Sequence, residues 1–180
     1  IKLGTASRLV SLKQIDLGIQ IINEIIKKEF YIKFFIAGSG PEEENLKNLV
    51  TKLNLENEIK FEGNITNMPD FYQKIDCFVI FSKTEDMPLS IVEAFTSGIP
   101  VIASKVGGVP ELFENTKGML IDINECVQSL AEKIILYLKK CDFEQAHKIN
   151  QKYAFDNFDN INHKDKIEQL YFNLLNDRYS

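Results

Sequence analysis

Short apolar runs alternate along this chain with longer stretches in which apolar residues recur every three or four positions. Runs at 2–8, 33–37, 59–62, 77–81, 101–104 and 119–121 have the length and the bounding turn residues of strands. Between them the spacing predicts helices at 14–29, 42–53, 69–75, 88–97 and 110–114. Strict alternation of this kind implies right-handed crossovers. The expected fold is therefore α/β, a Rossmann-like parallel sheet of about six strands with helices on both faces.

The C-terminal third reads as helices. Val127, Leu130, Ala131, Ile134 and Leu138 recur at helical spacing, as do Ile167, Leu170, Tyr171, Leu174 and Leu175. The second stripe reads as packing surface. No internal repeat or low-complexity linker divides the 180 residues, and 44% hydrophobic content is enough for one domain to bury a core.

In an open parallel sheet, ligands bind beyond the carboxyl ends of the strands. Arg8, the segment after Gly63, Glu85 and the Gly107-Gly108 loop all follow predicted strands directly. Glu85 and Glu93 bracket Pro88-Leu89-Ser90, with proline where a first helical residue tolerates it. Free amides at such a helix start attract an anion. A carboxylate on either side can hold hydroxyls of whatever carries that anion, so a phosphorylated sugar or nucleotide fits. Ser90 and Glu93 equally match a capping box, in which Glu93 would only tie down a backbone amide. Glu85 alone equally reads as a solvated loop charge.

Arg8 ends an otherwise apolar run, and Lys13 lies five positions on. A guanidinium can take two phosphate oxygens at once, while lysine acts as a point charge. The plainer reading is a pair of solvated surface charges. Gly38-Ser39-Gly40 looks like the start of a dinucleotide fingerprint, but Glu43 stands where the third glycine belongs. Glu42, Glu43 and Glu44 suit the helix dipole and would repel a pyrophosphate. These glycines and Pro41 are better explained as turn residues.

Composition narrows the partners. A net charge of −5 argues against nucleic acid as the main one. No apolar run approaches the roughly 18 residues a membrane span requires. Three cysteines without paired metal spacing suggest a reduced compartment and no disulfide framework, with Cys77 a small core residue. His147 and His163 are the only histidines, which argues against a histidine-based metal site or triad. The chain opens at Ile1 in what reads as a strand already under way, as expected of a fragment that lacks an N-terminal partner domain.

Glu85, Pro88, Glu93-Ala94, Gly98-Ile99-Pro100-Val101-Ile102-Ala103, Gly107-Gly108 and Glu111 occur in order over 27 residues. This stretch resembles the donor-binding half of the family 4 (group 1) glycosyltransferases, retaining enzymes of the two-Rossmann-domain GT-B architecture. Ser7-Arg8-Leu9-Val10-Ser11-Leu12-Lys13 resembles that family's opening strand and loop, whose arginine and lysine grip the donor diphosphate. Phe35 to Pro41, Ile59 to Gly63 and Ile75 to Val79 resemble the second strand and its turn, the third strand, and the approach to the fourth. The resemblance covers nearly all of 1–122 and is weaker beyond.

The resemblance implies a single nucleotide-sugar donor domain over 1–180 of a hexosyltransferase-type enzyme. Such an enzyme moves a sugar from a nucleoside-diphosphate sugar to a saccharide or lipid-linked acceptor, in surface polysaccharide synthesis. It implies that Glu93 accepts hydrogen bonds from ribose hydroxyls and that Glu85 contacts the transferred sugar. The amides of Asp86 and Met87 would face that sugar, and those of Leu89 and Ser90 the phosphates. Arg8 and Lys13 would neutralise charge growing on the departing diphosphate, which gives catalytic roles to Glu85, Arg8 and Lys13. The base would lie against backbone just after Gly63, around Ile65.

No cofactor and no metal are implied, because two cations and a helix terminus do the work of a magnesium ion. The acceptor would be held by an N-terminal domain, against which the last helix, 161–177, would pack. The isolated domain would then be inactive. The expected location is cytoplasmic, at the inner face of the membrane, with peripheral association only through the other domain.

Two positions depart from the family pattern. Gln14 and Asp86 stand where glycine is common after Lys13 and after Glu85, and a second acid beside Glu85 bears on which sugar is accepted. A non-catalytic nucleotide-binding module and a nucleotide-sugar epimerase of the same architecture are the alternative readings.

Overall fold

The first strand of the chain lies at the centre of the sheet. In the structure, a computed structural model that describes residues 1–158, β1 (Lys2–Ala6) pairs in parallel with both β2 (Lys33–Ala37) and β4 (Cys77–Ile80). β3 (Ile59–Gly63) flanks β2, while β5 (Val101–Ser104) and β6 (Met119–Ile121) extend the sheet beyond β4. All pairs are parallel, and the order is β3-β2-β1-β4-β5-β6. Progression reverses between β1 and β4, so the loops leaving these two strands diverge and open a crevice at their carboxyl ends.

Two cores, one on each face, account for the complete burial of β4 and β5, whereas the edge strand β3 alternates exposed positions with buried or partly buried ones. Phe34 and Ile36 enter one cluster while Phe35 and Ala37 enter the other, as a period of two demands. The first cluster receives Ile19, Ile22 and Ile25 of α1 (Ile15–Lys27), Val50 of α2 (Glu43–Lys52) and Ile134 of α5 (Val127–Lys140). The second receives Phe71 and Tyr72 of α3 (Met68–Lys74), Ile91 and Phe95 of α4 (Leu89–Thr96), and Ala154 of α6 (Phe143–Phe158). Each of the Val, Ile and Phe side chains among them contributes about 1.5–3 kcal/mol when fully buried. Cys77 is fully buried in the first cluster, in keeping with a core role.

Helix α6 docks through a buried amide. Asn150, 0% exposed, accepts from the Lys117 backbone N–H at 2.7 Å and donates to the Ile99 carbonyl at 3.3 Å. It thereby ties α6 to the segments that enter β5 and β6.

The sequence pattern overran several boundaries. β1 ends at Ala6 rather than 8, so Arg8 lies in the following loop and does not end a strand. The predicted 14–29 helix is preceded by a 3-10 turn, Ser11–Lys13, and starts only at Ile15 because Gln14 is left-handed at φ 46, ψ 43. The predicted 110–114 helix is a 3-10 turn, Val109–Phe113. Gly98, at φ 77, ends α4 as expected of a glycine just past a helix. The apolar stripe at 167–175, the 161–177 helix and His163 lie outside the described residues.

Candidate functional site

The loop after β1 is held open by its neighbour. Leu9 N–H donates to the Ser39 carbonyl at 2.9 Å, and Glu42 N–H donates to the Leu9 carbonyl at 3.1 Å. A Cβ on Gly38, whose φ is 117, would lie 1.9 Å from the Ser7 carbonyl oxygen, and one on Gly40 would lie 2.3 Å from that of Leu9. These glycines are therefore bare so that two loops can pack. The arrangement leaves the Arg8 side chain exposed at the rim of a cleft of ≈ 620 Å³, which Ser7, Asn64, Ile65 and Met68 also line. Arg8 and Ile65 thus share one cleft.

Lys13 and Glu85 meet across the crevice between β1 and β4. Lys13 Nζ lies 2.6 Å from Glu85 Oε1, with the side chains 28% and 11% exposed. The Ser82 hydroxyl donates to the same oxygen at 2.7 Å. Ser82 is buried, and its carbonyl accepts from the Ser104 hydroxyl at 2.7 Å, which anchors this arm in β5. Lys83 N–H donates to the Leu12 carbonyl at 2.9 Å and joins the two loops by backbone as well. The sequence reading assigned Lys13 and Glu85 to different parts of a ligand; the structure pairs them with each other. Ser82 escaped that reading, although a serine closing an apolar strand three residues before a candidate acid was the available signal.

Backbone shape separates the two positions, 14 and 86, at which the resembled pattern has glycine. The left-handed Gln14 costs about 1–2 kcal/mol relative to glycine, and its Oε1 is buried without a partner. Asp86 lies outside the left-handed region and its side chain is exposed, so an acid there strains nothing. The Gly107-Gly108 loop packs behind both acids. A Cβ on Gly107 (φ 49) would sit 1.8 Å from the Glu85 carbonyl oxygen, and one on Gly108 would sit 2.1 Å from that of Asp86. Gly108 N–H donates to the Glu85 carbonyl at 3.2 Å.

Pro88 is the N-cap of α4, not its first residue, with φ −71 and ψ 106. Ser90 therefore lies inside the helix, no side chain caps it, and the capping-box reading of Ser90 and Glu93 fails. Ile91 makes the first turn's bond, to the Pro88 carbonyl at 3.0 Å, so the Leu89 and Ser90 amides precede it at an uncapped terminus. Met87 and Leu89 are 55% and 68% exposed beside it.

Glu93, one turn further, is met by a residue the sequence reading did not single out. The Tyr72 hydroxyl of α3 lies 2.9 Å from Glu93 Oε2 and 3.2 Å from the Ser90 carbonyl oxygen. Burial raises the Tyr72 pKa far above the ordinary tyrosine value, and the bond to Glu93 and its negative charge raise it further.

A small crevice of ≈ 20 Å³ at the switch point is lined by Ser7, Lys13, Ser82, Glu85 and Ser90, among others. Ser7 lines this crevice and the Arg8 cleft alike, so the two adjoin. Its hydroxyl is buried without a partner. Two cations, an uncapped helix terminus and two carboxylates therefore stand along one edge of the sheet. That set can hold an anion flanked by hydroxyl groups. A larger groove of ≈ 710 Å³ lies between α4 and α6, lined by Val92, Thr96, Ala154 and Phe158, and contains none of these residues.

Among the described residues, no cluster of three or more His, Cys, Asp or Glu side chains is placed to hold a metal ion. None of their helices is long and apolar enough to cross a membrane.

Comparison with known proteins gives this geometry a lineage. The family model for glycosyl transferases group 1 matches residues 1–154. Over 172 residues the chain is 30% identical to the O-antigen biosynthesis glycosyltransferase WclY of Escherichia coli, covering 96% of this chain and 46% of that protein. It is 31% identical over 134 residues to a poly(ribitol-phosphate) alpha-N-acetylglucosaminyltransferase of Staphylococcus aureus, covering 73% of this chain and 27% of that one. The chain thus spans less than half the length of either relative.

The fold matches Anabaena HepE, solved in complex with UDP and glucose, at a TM-score of 0.82 and 26% identity, over 96% of this chain and 48% of that one. It matches the pneumococcal O-GlcNAc transferase GtfA, solved with UDP and GlcNAc, at 0.76 and 26% identity, over 85% and 32%.

Proposed function

The chain belongs to the group 1 glycosyl transferases, and from that premise we propose that it is the nucleotide-sugar donor domain of a retaining GT-B enzyme. That enzyme would transfer a hexose from a nucleoside-diphosphate sugar to a saccharide or lipid-linked acceptor in surface polysaccharide synthesis. The observation that carries this reading is the convergence of Lys13, Glu85 and the α4 terminus on the crevice between β1 and β4, with Arg8 at the rim of the adjoining cleft.

The diphosphate lies between Arg8, Lys13 and the amides of Leu89 and Ser90. Each charge-assisted hydrogen bond contributes about 1.5–3 kcal/mol, and the helix terminus about 0.3–2 kcal/mol, so the two cations dominate. Lys13 starts from its ion pair with Glu85. As a diphosphate enters, Lys13 turns to it, and the Ser82 hydroxyl still holds Glu85. Glu85, with the amides of Asp86 and Met87, then faces the hydroxyls of the transferred sugar. Glu93 accepts from the ribose, and the base rests in the cleft beside Ile65.

When the bond between the anomeric carbon and the diphosphate oxygen breaks, negative charge gathers on that oxygen. Arg8 and Lys13 sit on loops already fixed by backbone bonds, so little reorganisation is needed to stabilise it. In this reading those cations replace a metal, and transfer proceeds in the presence of EDTA. The acceptor is held by the rest of the protein at the inner face of the membrane, and the donor domain alone transfers nothing, since proximity of the acceptor supplies several kcal/mol of the barrier.

UDP occupies both structural relatives described above, which makes UDP-sugars the first donors to test. A thermal-shift and calorimetric screen of UDP, GDP, ADP and their sugars should find one nucleotide with a Kd of roughly 0.1–1 mM. No response to any of them at several millimolar contradicts the proposal, as does sustained sugar transfer by this chain alone.

A further inference from the structure

We infer that Tyr72 is a positioning residue that orients Glu93 for the ribose of the donor nucleotide. The inference rests on the reading of Glu93 as the ribose acid and adds the element that aims it.

Glu93 is exposed on the second turn of α4, where a free glutamate samples many rotamers. The Tyr72 hydroxyl fixes it from the neighbouring helix through Oε2. Tyr72 itself has no such freedom. It is 2% exposed, and its ring packs edge-on against Phe71 and Phe78 with centroids 6.0 and 5.5 Å away. The hydroxyl has one proton to give, and the nearer acceptor is the carboxylate at 2.9 Å.

Among the described residues no donor is seen on Oε1 of Glu93, so one oxygen is held and the other is left for a ligand hydroxyl. The same tyrosine oxygen stands 3.2 Å from the Ser90 carbonyl, in the first turn of α4. Tyr72 therefore holds the carboxylate of Glu93 beside the first turn of α4. An acceptor fixed before binding costs less ordering when the ligand arrives.

A buried tyrosine needs a partner for its hydroxyl in any case, and that need alone would make Tyr72 a matter of stability. The two roles separate in the affinities of UDP and 2′-deoxy-UDP, measured by calorimetry on the 180-residue chain and on its Tyr72→Phe and Glu93→Ala variants. Wild type should prefer UDP, and Glu93→Ala should lose the preference. Tyr72→Phe should bind UDP about three- to tenfold more weakly, with 2′-deoxy-UDP changed less than about twofold. If Tyr72→Phe keeps the wild-type preference while Glu93→Ala loses it, Tyr72 is structural only and the ribose role of Glu93 survives. If wild type shows no preference for UDP, both readings fail together.

Should Tyr72→Phe prove unfolded, the wild-type chain with labelled tyrosine rings decides the matter. The Tyr72 ring resonances should move on saturation with UDP and much less with 2′-deoxy-UDP. Equal or absent movement overturns the inference.

Discussion

Lys13 Nζ and Glu85 Oε1 lie 2.6 Å apart across the crevice where the sheet changes direction. A cation suited to a diphosphate and an acid suited to a sugar are thus held together, with the Ser82 hydroxyl on the same oxygen. In the proposed enzyme, Lys13→Met should lower turnover by roughly 10- to 150-fold, the equivalent of one charge-assisted bond of about 1.5–3 kcal/mol. Arg8→Ala should fall in the same range. Glu85→Ala should impair sugar transfer more than binding of the bare nucleotide. Steady-state kinetics together with nucleotide Kd values check all three.

Glu93 makes no cap, which separates its two sequence-level readings by experiment. Ser90 lies within α4, and the N-cap residue is Pro88, which has neither a side-chain oxygen nor an N–H, so no capping box can form. Glu93→Ala should lower the melting temperature only slightly, because the Tyr72 hydroxyl it leaves can turn to the Ser90 carbonyl 3.2 Å away, while nucleotide binding weakens by about 1.5–3 kcal/mol. Ser90→Ala should not show the roughly 1 kcal/mol loss typical of a deleted cap. Thermal denaturation beside calorimetry distinguishes these outcomes.

The backbone at Gln14 and Gly107 should respond to substitution with opposite signs. Gln14 is left-handed, at φ 46, so Gln14→Gly relieves strain and should stabilise the fold by about 0.5–1 kcal/mol after glycine's extra chain entropy is counted. Gly107→Ala would place a Cβ 1.8 Å from the Glu85 carbonyl oxygen. Because the clash is with backbone, it should lower stability and displace the Glu85 loop, which chemical denaturation and binding would both register.

How much of this was legible in the sequence depended on whether the signal was local. Apolar runs and glycine-bounded turns named all six strands, and Arg8 and Glu85 could be placed at the ligand edge because each follows such a run. Boundaries failed where tertiary contacts set them: β1 stops at Ala6 as the Gly38–Gly40 turn takes over the next residues, and one residue's difference in the role of Pro88 undid the capping box. Tyr72 and Asn150 were invisible for another reason. Tyr72 reads as one more core aromatic, and its partner is 21 residues away. Asn150 reads as a polar helix residue, and its partners are 33 and 51 residues away.

Two tyrosines, Tyr72 buried and Tyr137 partly buried, predict the alkaline limit of stability. Burial, first, and then Glu93 raise the folded-state pKa of Tyr72 above the usual 10.0. Burial, first, and then nearby Cys77 and Cys141 raise that of Tyr137. Because the folded values are the higher ones, the stability each contributes is fully present below pH 10 and is lost progressively above it. Denaturation midpoints should fall from about pH 10 upward. Tyr72→Phe should flatten that fall, since its hydroxyl no longer has to ionise.

The most direct test of the central claim is a chemical-shift titration of this chain with UDP, and with GDP and ADP if UDP is silent. The donor-domain account predicts saturable shifts at Arg8, Lys13, Ile65, Glu85, Leu89, Ser90 and Glu93, with a Kd of roughly 0.1–1 mM. Silence to every nucleotide at several millimolar would contradict it, and so would shifts confined to the groove between α4 and α6.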